Sequence, residues 1–221
     1  MTQTQHYPDA QLKSAVIDEL KWTPSVNPNN IGVSVTDGAV TLSGEVASYP
    51  EKIEALKAVQ RVHGVHGIAQ EMTVRTTYGA FNDTDIAREA GVAIENDSIL
   101  PKGSVKVVVN DHVVTLSGSL PWNYQRTSAE HAVRYLKGVH DVRNTIVIKP
   151  VASATGIKTA IATALVRHAV LDAERCDVTS TTDGDVTLEG HVGSWGERKQ
   201  AENVAWAAPG VRSVVNKLEV R

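Results

Sequence analysis

One spacing in this chain suggests a metal ion: the His-x-x-His pair of His63 and His66. Two imidazoles bind a metal only when their rings converge and other donors complete the shell. Here the pair flanks Gly64, so the rings need not converge, and no further donors stand at ligand spacing. Both read as surface histidines. Serine, histidine and aspartate are present, but no G-x-S-x-G, phosphate-binding loop or H-E-x-x-H brings them into a reacting pattern. The single cysteine, Cys176, excludes an internal disulfide and a cysteine-built zinc site, and reads as a small apolar residue before a strand. The remaining chemistry is aromatic. Tyr49, Trp122, Tyr124 and Trp195 fall four to six residues past Gly44, Gly118 and Gly190. Tyrosine and tryptophan suit a membrane interface, because an apolar ring and a polar handle satisfy both sides. The same rings equally suit packing on a neighbouring part of the chain or the start of a helix. Nearby, Asn123 and Ser194 have the character of helix caps, and Glu51, Gln125 and Glu197 suit a first turn.

These aromatics recur because the sequence recurs. The segments Val40-Thr41-Leu42-Ser43-Gly44-Glu45-Val46, Val114-Thr115-Leu116-Ser117-Gly118-Ser119-Leu120 and Val186-Thr187-Leu188-Glu189-Gly190-His191-Val192 share one pattern. Each glycine is followed 20 residues later by another (Gly64, Gly138, Gly210), and a valine follows each of those (Val65, Val139, Val211). The copies lie 74 and then 72 residues apart. The chain is a triplicated small domain. Polar positions differ between copies while apolar ones agree: Glu45, Ser119 and His191 occupy one equivalent place. A shared reaction would want one residue type there, so no catalysis is expected.

Each copy reads as helix, strand, strand, helix, strand. Leu12, Val16 and Leu20 are spaced by four, as are Ile86, Ala90, Ile94 and Ile157, Ile161, Leu165, which makes one apolar stripe on a helix. Alternation at Ile31, Val33, Val35 and at Val105, Val107, Val109 predicts the first strand. Asp37-Gly38 and Asp183-Gly184 predict hairpin turns, with Asn110-Asp111-His112 filling that place in the second copy. The third copy is out of phase at Val178, which predicts one extra residue in its hairpin. The second strand turns Val40, Leu42, Gly44 and Val46 inward. A second helix carries Ala55, Ala58, Val59, Val62 and their counterparts Ala129, Ala132, Val133, Leu136 and Ala201, Val204, Ala205, Ala208. Such small residues predict close approach of helix to sheet, which would account for the glycine in the facing strand. Gly64, Gly138 and Gly210 are expected to end that helix as C′ residues. Ile68, Met72 and Val74 and their counterparts predict the last strand.

The fold class is therefore α+β, as three tandem αββαβ domains over 8–75, 82–149 and 154–221, each with two helices on one face of a three-stranded mixed sheet. Each is near the lower size limit for a self-sufficient core, so neighbouring copies are expected to touch. Linker aromatics Tyr78 and Phe81 are placed to pin the first two copies, and Trp22 and Trp206 read as core or inter-domain packing.

Among 221 residues, 22 Lys and Arg against 25 Asp and Glu give a formal charge of −3, without the basic excess that a nucleic-acid surface needs. No apolar run approaches the roughly 20 residues of a spanning helix. The opening residues lack a basic and then apolar leader, so the expected location is cytoplasmic, peripheral to a membrane at most.

The order helix, V-x-[VL]-x-G-x-[VL] strand, helix and G-V-x-x-V strand resembles the BON domain, named for bacterial osmotically inducible and nodulation proteins. Gly44, Gly118 and Gly190 match its signature, and Gly64, Gly138 and Gly210 open the last strand. The resemblance implies a non-catalytic binding module of the osmotic and envelope stress type that meets phospholipid or membrane-associated surfaces, with Tyr49, Trp122, Tyr124 and Trp195 as contact residues. Three weak contacts on one chain would add through effective concentration. It also implies an alternative, a cytosolic potassium sensor. Backbone carbonyls, such as those of the turn at 62–65, can hold that ion without a side-chain signature. No other cofactor is expected. A third reading is a self-assembling homo-oligomer of structural or transport type, joined through exposed sheet edges.

Overall fold

The structure is a computed structural model that describes residues 8–75, 81–150, 156–167 and 176–220. Its elements run α1 (Asp9–Trp22), β1 (Ile31–Thr36), β2 (Ala39–Val46), α2 (Tyr49–Arg61) and β3 (Gly67–Val74) in the first repeat. The second has α3 (Asp83–Asn96), β4 (Val105–Asn110), β5 (Val113–Leu120), α4 (Asn123–Arg134), β6 (Asp141–Asn144) and β7 (Val147–Ile148). The third has α5 (Ile157–Arg167), β8 (Cys176–Ser180), β9 (Asp185–Val192), α6 (Trp195–Ala207) and β10 (Ser213–Val220). The class is α+β, with three small mixed sheets and six α-helices among the described residues. Contacts divide the chain into two compact units. One is Met1–Gly44, Glu54–Met72 and Ala152–Arg221, and the other is Glu45–Ile53 and Thr73–Val151.

In every sheet the middle strand is the one carrying the glycine motif. β5 pairs antiparallel with β4 and parallel with β6 and β7, and β9 pairs antiparallel with β8 and parallel with β10. In the first repeat β2 lies between β1 and β3. A parallel neighbour requires a crossover, and the second helix of each repeat supplies it. The apolar stripes then meet the sheet. In the third repeat Ile157, Ile161 and Leu165 of α5 and Ala201, Val204 and Ala205 of α6 close one core with Val186, Leu188 and Leu218. The same positions are buried in the second repeat, at Ile86, Ala90, Ala129, Val133, Val114 and Leu116.

The hairpins explain the phase shift in the third repeat. Asp37 and Gly38, and likewise Asp111 and His112, all have positive φ, as a two-residue type I′ loop demands. In the third repeat the Thr181 amide donates to the Asp185 carbonyl, so 182–184 make a three-residue loop with one residue more.

Two glycine expectations are corrected. Gly44 and Gly118 are exposed, and no helix presses on them. Their φ values are +116° and +137°, and a Cβ would be driven into the carbonyl oxygens of Asn30 and Ser104. What demands glycine is the backbone at the start of the partner strand. Nor are Gly64, Gly138 and Gly210 helix C′ residues, since the helices end earlier, at Arg61, Arg134 and Ala207. Gly138 and Gly210 occupy the third place of β-turns closed by Val139 N to Leu136 O and Val211 N to Ala208 O, both 3.4 Å. Their φ of +83° and +89° suits that place, and Gly64 at +88° matches them.

Two devices went unread in the sequence. The Asp9 carboxylate accepts both hairpin-tip amides, Asp37 N at 2.9 Å and Gly38 N at 3.1 Å, and Asp83 does the same for Asp111 and His112. A carboxylate in a first helical turn also suits the helix dipole. In the second and third repeats an asparagine on the last strand ties back to the second helix. Asn144 Nδ2 donates to Arg126 O at 2.9 Å, and Asn216 Nδ2 to Arg198 O at 3.0 Å. Cys176 stands as the first residue of β8 rather than before it, half-buried, with burial and then Asp177 pushing its thiol pKa up.

Candidate functional site

Each elbow from the middle strand into the second helix is built to present the helix's first residue, which is Tyr49, Asn123 or Trp195. Ser194 caps α6 by accepting the Glu197 amide at 3.1 Å, while Glu197 reaches back to the Gly193 amide at 3.0 Å. Ser48 and Glu51 repeat this at α2. The second repeat differs. Trp122, not Asn123, stands at the cap of α4, and it makes no side-chain capping bond. Gln125, in the place of Glu51 and Glu197, turns its amide to Ile99 O at 3.0 Å. The oxygens Asn123 Oδ1 and Gln125 Oε1 are buried without a hydrogen-bond partner.

The four aromatics read from the sequence thus have different surroundings. Trp195 donates its indole N–H to Val65 O at 2.8 Å, with Arg198 over its ring at 5.2 Å. That places the third repeat's elbow on the exit turn of the first. Tyr49 is only 5% exposed. Burial chiefly raises its phenol pKa, and Asp141 and Glu130 add to this, while Arg134 and a backbone hydrogen bond from Val142 oppose it. The first repeat's elbow therefore lies against the exit of the second. Trp122 and Tyr124 stack on one another at 6.4 Å, and Tyr124 stays 59% exposed.

Beside Tyr49 is a cleft of about 380 Å³. Ser48, Tyr49 and Arg75 form one side and His112, Lys137 and His140 the other. Where the first repeat has Gly38 under His66, the second has His112 under His140, with rings stacked at 4.4 Å. His112 Nδ1 lies 3.0 Å from Gly138 O. Burial first, then His112 and Lys52, lower the His140 pKa below 6.5. A histidine depressed in the fold takes up its proton more readily when unfolded. Its contribution is therefore fully present above pH 6.5 and is lost as pH falls through the depressed value. Thermal melts should show Tm falling between about pH 7.5 and 5, and falling less in His140→Gln; equal slopes would remove the stack from the account.

The other sequence candidates resolve simply. His63 and His66 are exposed, and no group of three or more His, Cys, Asp or Glu placed to hold a metal occurs among the described residues. Glu45 pairs with Arg75 at 2.8 Å and His191 meets Glu219 at 3.5 Å, both at the surface. Phe81 packs over Gly138, whereas Tyr78 lies outside the described residues. Trp206 packs against the third repeat's core. Trp22 corrects its expectation: its indole is 84% exposed at the end of α1. No described helix is long and apolar enough to cross a membrane.

The glycine-bearing middle strand, the crossover helix and the exit turn recur in all three repeats, and the sequence model of the BON domain matches residues 8–76, 82–150 and 153–221. The chain belongs to the BON-domain family. Among curated proteins it is similar to osmotically inducible protein Y of Escherichia coli strain K12. The two are 31% identical over 145 residues, which cover 63% of this chain and 70% of that protein. Among solved structures, this BON protein matches CdsD, a structural protein of the type III secretion system of Chlamydia trachomatis, at 15% identity. That match covers 96% of this chain and 92% of the other, with a TM-score of 0.27. The C-terminal domain of CdsD gives the same identity and TM-score with full coverage of both chains. A likeness at that TM-score carries no argument about what the BON repeats here do.

Proposed function

We propose that this chain is a non-catalytic BON protein of the osmotic-stress type that attaches peripherally to phospholipid surfaces. The observation that carries the reading is Trp22, an indole 84% exposed at a helix end. An indole in that position suits the lipid headgroup layer, where its ring and its N–H are both accommodated. Its charged neighbours are already balanced, Lys21 by Asp18 at 3.2 Å and Arg61 by Glu19 at 2.8 Å. Attachment by Trp22 is therefore driven by the ring rather than by charge, and should survive salt that screens surface charges beyond about 3 Å at 1 M. The similarity to an osmotically inducible protein supports the stress context. Differences among the repeats at equivalent polar places support a binding module rather than an enzyme.

The test is co-sedimentation with vesicles of phosphatidylethanolamine and phosphatidylglycerol, with tryptophan fluorescence as a second readout. Wild type should bind with a blue shift. Trp22→Ala should bind at least about tenfold more weakly, roughly 1.4 kcal/mol, with an unchanged melt because the side chain is almost bare. Equal binding by both proteins, or none by wild type, would overturn the reading.

A further inference from the structure

The cleft of about 380 Å³ beside Tyr49 has the size of sites that hold small molecules, and all its described lining belongs to one compact unit. Arg75, Lys137 and His140 supply its nitrogen donors. No aspartate or glutamate is among the described lining residues, although the chain as a whole has 25 acidic residues against 22 basic ones. The donors keep capacity for a ligand. Arg75 gives its Nε to Glu45 at 2.8 Å, which leaves its two Nη groups. Lys137 is exposed on the turn and enters no ion pair among the described residues. His140 stacks on His112 at 4.4 Å, and its ring nitrogens have no hydrogen-bond partner among the described residues. The neighbouring Asp141 accepts the Val142 amide at 2.9 Å instead. Burial, His112 and Lys52 favour the neutral His140 ring, which carries one N–H in either tautomer.

The second repeat departs from the other two at this cleft. His112 has a φ of +62° at the hairpin position where they carry Gly38 and Gly184. Side chains rarely take that backbone conformation, and one that is held there marks a place where its ring has a use. The ring donates from Nδ1 to Gly138 O at 3.0 Å, which pins it as the platform under His140. In the third repeat Arg212 stands at the place of His140, and Asp185 pairs with it at 2.7 Å. The second repeat has Val113 where Asp185 would be, so that acid is missing here.

We propose that this cleft binds a small phosphate monoester, with the phosphate on Arg75, Lys137 and His140 and the organic group against Phe81 and Tyr135. The two fixed cations match an ester that is close to a dianion near neutral pH, and three donor groups match its three terminal oxygens. Tyr135 is 61% exposed and lines the same cleft as Phe81, so ring surface is at hand for the organic part. His112 is a positioning residue that acts through His140. The site shares no residue with Trp22 and stands apart from the attachment to lipid.

The experiment is isothermal titration calorimetry of the full chain with phenyl phosphate at about pH 7.5, where the ester is mainly a dianion, and with phenol as the uncharged control. Phenyl phosphate should bind at least about tenfold more tightly than phenol. Lys137→Gln should weaken it about tenfold, whereas Lys13→Gln, which removes the same charge on α1, should change it by less than about twofold. His140→Phe keeps a ring on the stack but loses the N–H, and should weaken binding about fivefold. His112→Gly restores the residue of the other two hairpins, so the fold is kept, and it should weaken binding to a similar extent. Combined with His140→Phe it should cost nothing more, because the two act as one unit. Vesicles of phosphatidylcholine containing phosphatidic acid, added as competitor, separate the sources of the phosphate. Displacement of phenyl phosphate places it on a lipid headgroup, and undisturbed binding places it on a soluble molecule. Phenyl phosphate bound no better than phenol overturns the proposal, as does undiminished affinity in Lys137→Gln. Additive losses in the double variant overturn the role given to His112. Circular dichroism reads the folding of each variant, and Lys137→Gln, on an exposed turn, keeps the site testable if His112→Gly unfolds.

Discussion

Gly118→Ala is expected to lower the Tm of the second repeat by about 15–30 °C. Two costs combine. At φ +137° the residue lies where L side chains are rarely found, which costs about 1–3 kcal/mol. The added Cβ is also aimed at the Ser104 carbonyl oxygen and Val105 Cα, backbone that cannot move aside without pulling β4 off β5 at the Val105–Gly118 pair. Overpacking of that kind adds about 1–3 kcal/mol. A domain of this size holds only about 0.05–0.15 kcal/mol per residue, so the sum approaches its whole stability. Each kcal/mol shifts Tm by about 4–8 °C at this length. Gly91→Ala is the control, because that helical glycine has nothing within 4 Å of a new Cβ. It should raise stability by about 0.5–1 kcal/mol. Melts followed by circular dichroism check both, and a Gly118→Ala protein within about 1 kcal/mol of wild type would show that β5 can shift to admit the methyl.

The same glycine marks what was legible in the sequence. Its recurrence at Gly44, Gly118 and Gly190, with a second glycine 20 residues on, exposes the triplication and hence the fold. Its cause was not legible, because the carbonyl that forbids a side chain belongs to the start of another strand. The apolar stripes were readable because periods of 3.6 and 2 are local. The phase slip at Val178 was readable for the same reason, and the three-residue loop at 182–184 is its structural cause. What the periods do not encode is the partner of an exposed-looking position. Asp9 and Asp83 belong to no local pattern that marks them, and only the folded chain brings hairpin amides 28 and 29 residues away onto them. The aromatic elbows were found at once, but their destinations lie in other repeats: Trp195 meets Val65 across 130 residues. Trp22 follows Leu12, Val16 and Leu20 on one helix but does not share their stripe, and tryptophan's usual burial obscured that.

Tyr49→Ala should cost about 3–5 kcal/mol, the usual range for removing a large aromatic side chain from a packed site, because the ring is 5% exposed and fills the seam between the first repeat's elbow and the second repeat's exit. Tyr49→Phe keeps the ring and removes only the hydroxyl, so it should cost about 1 kcal/mol. The pair separates packing from polarity, and pH gives a third reading of the same contact. Burial, with Asp141 and Glu130, holds the folded phenol above its ordinary 10.0, so on raising the pH the unfolded chain loses this proton first. The folded state binds more protons there, and stability must fall as pH rises through 10.0. Wild type should therefore unfold more steeply in alkali than Tyr49→Phe, although the phenylalanine protein is the less stable one at neutral pH. Urea melts at about pH 7 and above pH 10 test this directly. If the stability gap between the two proteins stays constant, the phenol is not desolvated and the elbow is held by shape alone. If it narrows with pH, the buried hydroxyl is part of what joins one repeat to the next.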